Sequence, residues 1–285
     1  MYLNITHITE YRYSEPAWDS FNELHLRPSD DYRQTVIKFD LKISPKPEVR
    51  SHRDYYTNLL HHFHLPKKHT LLRIEATSRV ATYPVPEPVA VSARTLPELR
   101  HRLFEYIAPT ERVPLDRDWF ALFGGQRPKR NQDLVEYLVD LNNRLHQSFV
   151  YDPGSTHLNT PLADFAEDQR GVCQDFAHAM LALCRSAGVP TRYVSGYIHS
   201  NPNIASEELI GAEASHAWIE AFLPGNGWVG FDPTNGCLIT EAHVKIGYGR
   251  DYSDVSPVRG LRRGGGESEL KVEVKVRKHQ ATSVV

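Results

Sequence analysis

With 285 residues, 40% of them hydrophobic and 24% charged, the chain can build two modest domains or one large one around a core that needs no covalent staples. A formal charge of −2 and an isoelectric point near 6.7 argue against a nucleic-acid partner; the densest basic cluster, Arg259 to Arg263, dissolves into Gly264-Gly265-Gly266 and reads as a solvated loop. No stretch approaches the ~20 apolar residues of a membrane span, no charged leader precedes an apolar run, and three cysteines without metal spacing fit a reducing, cytoplasmic setting with no membrane partner.

Residues 1–90 read as an antiparallel β-sandwich. Ile37, Phe39, Leu41 and Ile43 alternate with Lys38, Asp40 and Lys42, and Leu72, Ile74, Ala76 and Val80 alternate with Arg73, Glu75 and Arg79, so that one face meets a core and the other water. Pro28, Pro45, Pro47 and Pro66 punctuate about six or seven strands of ordinary length. His61, His62 and His64 have no carboxylate or cysteine at ligand spacing, so they read as a surface or interface strand and not as a metal site. Tyr83-Pro84-Val85-Pro86-Glu87-Pro88 is a stiff linker that marks a domain boundary.

Residues 91–285 read as a second domain of helices packed on an antiparallel sheet, an α+β core that takes in the final strand. Thr95-Leu96-Pro97-Glu98 matches a capping box, Asp118 to Phe123 a short helix ended by Gly124-Gly125, and Asn131 a cap for a helix whose stripe is Leu134, Leu138, Leu141 and Leu145. After a short helix from Thr160-Pro161, Gly171-Val172-Cys173 opens a longer one that Gly188 and Pro190 end. A thiol at a helix start feels unpaired N–H groups and the positive end of the helix dipole, both of which favour the reactive thiolate. Thr191 to Ile198 is a strand, a polar loop over residues 199–214 could border a cleft, and Leu270, Val272, Val274 and Val276 alternate in a last strand whose sheet the pattern leaves open.

Downstream, Ser215 to Phe222 and Gly227 to Asn235 read as a hairpin about Leu223-Pro224-Gly225-Asn226. Its pairing brings His216 beside Asp232, where the carboxylate would hold the Nδ1–H while Nε2 faces the Cys173 sulfur. Each residue alone has a plainer reading. A lone cysteine is commonly a small buried hydrophobe, His216 beside Trp218 a packed ring, and Asp232 before Pro233 a turn residue. Thiol catalysis is favoured because all three fall in the arrangement it requires.

The stretches G-V-C-Q-D-F-A-H, R-Y-V-S-G-Y, S-H-A-W-I-E-A-F-L-P-G and G-F-D-P-T-N, in this order, resemble the bacterial transglutaminase-like family, and the G-R-D-Y stretch at Arg250 is similar to one that follows the core there. Tyr11-Arg12-Tyr13-Ser14 and Leu26-Arg27-Pro28 resemble the β domain preceding that core, so the resemblance spans nearly the whole chain. It implies a papain-like Cys-His-Asp set carried onto Cys173, His216 and Asp232, and acyl transfer on amide or peptide substrates, with bacterial members often regarded as proteases. The chain departs from the family at Thr57-Asn58, where a glycine commonly precedes the asparagine. That leaves a local turn open and the chemistry untouched.

The expected chemistry is attack by the Cys173 thiolate, a thioester acyl-enzyme, and hydrolysis of a protein or peptide substrate without cofactor or metal. The backbone N–H of Cys173 is the natural first oxyanion donor, with Gln174 and Tyr151 as candidates for a second. Asp175, Tyr197, Ser215 and Trp218 are expected to line the site or brace it, with His178 and Trp228 as packing residues. Three alternatives stay open: an amine acyltransferase of the arylamine N-acetyltransferase kind, a crosslinking transglutaminase without a recognisable calcium loop, and a non-catalytic binding module.

Overall fold

The alternating pattern at the start of the chain forms one long strand, β1 (Tyr2–Leu24), and the sheet is organised around it. The computed structural model describes residues 1–157, 159–200, 209–212 and 214–279. β2 (Gln34–Ser44), β3 (Val49–Arg53), β4 (Leu59–Leu65) and β5 (His69–Thr82) follow, in spatial order β2-β5-β1-β4-β3. β1 pairs with β5 from Tyr2 to Arg12, shifts register before Ala17, and pairs with β4 from Ser20 to Leu24. It therefore runs through both halves of one antiparallel sheet, whose apolar side chains, among them Leu24, Ile43, Phe63, Leu65, Leu72 and Ile74, close one core. The expected N-terminal antiparallel β unit is present, its strands joined through β1 into a single sheet.

Thr57 turns the chain into β4 with φ of 67°, in the left-handed region where glycine is favoured. The next residue explains what the turn is for. Asn58 donates from Nδ2 to the carbonyl of Tyr248 at 2.8 Å and accepts the Tyr248 N–H at 3.0 Å, so this β-domain turn is clamped to backbone of the second sheet.

Among the described residues the second unit has five α-helices, α1 (Leu96–Arg102), α2 (Trp119–Phe123), α3 (Leu134–Ser148), α4 (Leu162–Asp168) and α5 (Cys173–Ser186). Asp118 caps α2 as its position predicts. α3 is capped by Asp133 and not by Asn131, whose side chain accepts from Arg94 instead; Thr95 makes no capping bond to α1. Between the helices lie the two-residue strands β6 (Val150–Tyr151) and β7 (Arg170–Gly171), paired in parallel. A five-stranded antiparallel sheet follows, from β8 (Thr191–Ile198), β9 (His216–Leu223), β10 (Gly227–Asp232), β11 (Cys237–Leu238) and β12 (His243–Gly249), in order β11-β10-β9-β8-β12. α5 is buried on nearly every side from Gln174 to Arg185 and packs on β8 and β9, which makes it the central helix of the core.

The end of the chain answers one question the pattern leaves open and corrects one expectation. β13 (Val258–Gly264) and β14 (Ser268–Lys278) do not join the second sheet but run back along β1, β14 beside its first half and β13 beside its second. The boundary drawn after residue 90 thus separates segments that share one sheet. The Arg259–Arg263 cluster, read as a loop, is strand β13: its side chains are exposed, but its backbone pairs with Phe21 to Leu24, and Arg259 bonds Glu23. Backbone pairing to a partner distant in sequence leaves no trace in side-chain composition.

The two units meet through Leu3, Ile5 and Val80 on one side and Tyr197, Val244 and Ile246 on the other. Buried charge adds to this contact. Glu220, fully buried, receives Arg33 from the β domain, Arg192 at 2.7 Å and Lys245 at 3.0 Å, and Lys245 also reaches Asp31 at 2.9 Å. Three cations hold its carboxyl far below the usual range against the burial that would raise it. No helix of the described residues is long and apolar enough to cross a membrane.

Candidate active site

α5 begins where Val172, in extended conformation, ends the β6–β7 pairing. The Asp175 carboxylate accepts the Val172 N–H at 2.8 Å and the Thr156 hydroxyl at 2.7 Å, and the Val172 carbonyl accepts the Asp175 N–H at 2.8 Å. Asp175 therefore braces the turn that presents Cys173, and burial raises its pKa despite these bonds. Gln174 is buried in the same turn, and Tyr151 pairs with Gly171 two residues before the cysteine.

Cys173 is partly exposed, with Sγ 3.8 Å from the carbonyl oxygen of Ser215. That carbonyl immediately precedes His216, which opens β9 and is fully buried. His216 Nε2 lies 2.8 Å from Asp232 Oδ2, while Nδ1, with no nitrogen or oxygen partner among the described residues, is the nitrogen available to Cys173. The ring is thus turned opposite to the expectation. Sulfur approaches beside the backbone of His216, where Nδ1 sits, and only the far tip of the ring reaches across to β10. The reach is diagonal: β9 and β10 pair up to Phe231 opposite Ile219, so Asp232 stands one position on, nearer the hairpin turn than His216.

Asp232 is fully buried and accepts five hydrogen bonds. Oδ1 takes the N–H groups of Thr234 at 3.0 Å and Asn235 at 3.2 Å; Oδ2 takes Asn235 Nδ2 at 2.7 Å, His216 Nε2, and His243 Nε2 at 3.2 Å. Burial alone would raise its pKa, but the neighbouring rings and donors hold it far below the usual carboxylate range. For His216 burial would lower the pKa; the Asp232 charge, its hydrogen bond and the nearby Cys173 outweigh that and raise it, which favours imidazolium beside sulfur. His216, Asp232 and His243 are a described group whose donor atoms lie within 4.8 Å of one another, and hydrogen bonding accounts for the cluster without a metal.

Gly211 lies against the His216 ring: its φ is 94°, and a Cβ there would sit 2.6 Å from Nδ1. Asn235 holds this segment by accepting the Ile210 N–H at 2.8 Å and donating to the Ile210 carbonyl at 3.3 Å. Of the polar loop expected to border a cleft, residues 201–208 and 213 lie outside the described residues. Trp218 is fully buried and meets the His243 ring edge-on with centroids 5.4 Å apart, so it supports the rings from within the sheet.

Tyr197 is not at the site: it is buried between the two sheets and bonds His7 Nδ1 at 2.9 Å. His178, fully buried on α5 with its pKa lowered to about 3 by burial and then by Arg112 and Arg185, accepts the Tyr252 N–H at 3.3 Å and fastens the G-R-D-Y stretch to the helix. Burial raises the Tyr252 pKa, Arg112 opposes it, and the nearby Cys173 adds to the rise. Asn235 and Tyr252 fall within the G-F-D-P-T-N and G-R-D-Y stretches but carry no assigned role from sequence, and His243 falls in no quoted motif. A groove of about 900 Å³ lies elsewhere, on the outer face of the β domain, lined by Phe21, His52, His62, His64 and Leu261 among others. There His64 stacks on Phe21 and His62 meets His52, as suits a surface strand.

Residues 3–81 match the bacterial transglutaminase-like N-terminal region, and residues 125–233 match the transglutaminase-like superfamily core. An uncharacterized protein of Mycobacterium leprae is 37% identical over 281 residues, covering 96% of this chain and 98% of its own. The protein-glutamine gamma-glutamyltransferase of Pseudomonas aeruginosa is 37% identical over 98 residues, 32% of this chain and 15% of that one. The crystal structure of a candidate cysteine protease from Cytophaga hutchinsonii shares the fold, with a TM-score of 0.75 over 99% of this chain and 92% of that chain at 20% identity.

Proposed function

The chain belongs to the transglutaminase-like superfamily, and from that premise we propose that it carries out thiol-dependent acyl transfer on amide or peptide substrates, with water as the usual acceptor. The observation that carries the reading is the meeting of three elements: the start of α5 sets Cys173 beside His216, whose far nitrogen is tied to Asp232 at 2.8 Å.

In this reading the reacting pair is the Cys173 thiolate and the His216 imidazolium, the imidazolium favoured by the Asp232 charge. Cys173 sulfur adds to the amide carbonyl, the oxyanion forms near the N–H groups at the head of α5, and Nδ1–H of His216 protonates the departing amine as the C–N bond breaks. Gln174, buried in the first turn of α5, and Tyr151, on β6 beside Gly171, are the candidates for a second oxyanion donor. The thioester is then attacked by water that gives its proton to neutral His216 Nδ1; the acid leaves and the thiolate and imidazolium return. Throughout, Asp232 holds Nε2–H. Water is the default acceptor because the sulfur is partly exposed.

Transfer to an amine is the second reading, favoured by the similarity to the P. aeruginosa glutamyltransferase. Three free cysteines support a reducing, cytoplasmic setting. Incubation of the purified protein with glutamine-containing peptides, with and without a primary amine, separates the outcomes. New amino termini or released ammonia without incorporated amine mean hydrolysis, and incorporated amine means transfer. Turnover that survives in Cys173→Ala would defeat both readings.

A further inference from the structure

The reaction proposed above uses one imidazole, yet two converge on Asp232 Oδ2. The proton of the second ring can be placed from its other side. The backbone N–H of Thr240 donates to His243 Nδ1 at 3.1 Å, so Nδ1 carries a lone pair and the neutral ring bears its hydrogen on Nε2, facing the carboxylate. His243 is buried, edge-on to Trp218, and held by its own turn, in which His243 N–H returns to the Thr240 carbonyl at 3.1 Å and Ala242 N–H bonds Thr240 Oγ1 at 3.2 Å. Its orientation is therefore set within four residues of chain.

We propose that His243 is a positioning residue of the thiol site, donating Nε2–H to Asp232 so that the carboxylate stays aligned with His216 and its pull on the His216 proton is limited. This rests on the reading of Cys173, His216 and Asp232 as the reacting set. Each donor to a carboxylate weakens it as a base. The cycle needs His216 charged when the amine leaves and neutral when water attacks, so a carboxylate that binds the imidazolium too strongly would stall the second half. Burial, against the opposing pull of Asp232, keeps His243 below the ordinary histidine range and hence a neutral donor. Among the described residues, the ionisable groups facing this cluster are Cys173 of α5 toward His216, Cys237 of β11 toward Asp232, and Arg33 of the β domain toward His243.

Alkylation of Cys173 by iodoacetate across pH, read by peptide mass, tests this in the full chain without a substrate. The reagent is an anion, so its rate falls on the alkaline side as His216 loses its proton. His243→Phe should move that limb upward by roughly 0.5–1 pH unit, as expected for the loss of one donor to the carboxylate. His243→Gln, which can supply an N–H in place of Nε2–H, should stay close to the unmutated profile. A limb that does not move or moves down in His243→Phe, or an equal shift in both variants, overturns the proposal. Nitrogen-15 spectra of the unmutated protein check it without relying on a variant that folds: His243 must show the Nε2–H tautomer, and an Nδ1–H or doubly protonated ring overturns it. The underlying reading fails separately, through an unmutated profile whose alkaline limb is unaffected by His216→Ala, and then the role of His243 falls with it.

Discussion

Three sulfurs in this chain sit in three different environments. Cys184 is fully buried in α5, and burial pushes its thiol well above the usual range; Cys237, paired across from Asp232, is pushed up to about 12 by burial and then by that carboxylate. Cys173 is partly exposed at a helix start, beside a ring that Asp232 favours as imidazolium. Iodoacetamide near neutral pH should therefore modify Cys173 at least ~100-fold faster than either of the others, since the reactive form is the thiolate. Comparable rates at all three, measured by peptide mass, would show that the thiol is not activated. Asp232→Asn removes the charge that raises the His216 pKa, and turnover should fall by about 10²–10⁴-fold, the range typical of losing a base or its orienting partner. Its alkaline limb should move down, because the imidazolium then gives up its proton more readily.

At the scale of elements, the turn before β4 joins backbone strain to docking. Thr57 holds φ of 67°, which costs a β-branched residue about 1–2 kcal/mol, while glycine would lose about 0.5–1 kcal/mol through its freer unfolded chain. Thr57→Gly should thus stabilise the protein by up to about 1 kcal/mol, read as a higher urea midpoint at unchanged slope. A lower midpoint would mean that the Thr57 side chain, exposed as it is, contributes more than its backbone costs. The Cys173 helix and the His216–Asp232 hairpin were legible because each carries a local signal, a break followed by helical periodicity or two alternating runs about a Pro-Gly-Asn turn. His243 carries none. It stands eleven residues past Asp232, after an unremarkable Thr-Glu-Ala, and its role follows only from the fold of β12 beside β8.

The whole molecule is held at a junction where buried histidine matters. His7, almost fully buried against Tyr197 and Thr9, has its pKa lowered by burial to about 4. Between the ordinary histidine pKa and that value the unfolded chain binds the proton that the folded state refuses, so stability falls as pH drops through this window; at about pH 4.5 the loss from His7 alone is on the order of 2 kcal/mol. His178 adds to it over a window reaching about 3. His216 has the opposite sign: its contribution is complete below the unfolded pKa and is lost as pH rises through its elevated folded value. Denaturant midpoints should therefore be highest near neutrality, and His7→Gln should flatten the acid side. An acid slope unchanged by that substitution would place the sensitivity elsewhere.

Sequence alone determined the α+β class, the paired family signatures and the three residues nominated for the site, because periodicity, turn chemistry and motif order are properties of neighbouring residues. Tertiary structure decided what depends on distant segments meeting: β13 and β14 returning along β1, Tyr197 facing His7 and not the site, the imidazole turned with Nδ1 toward sulfur, and a second ring donating to Asp232. A ring's orientation and a strand's partner are set by what packs against them, and those neighbours lie tens to hundreds of residues away along the chain.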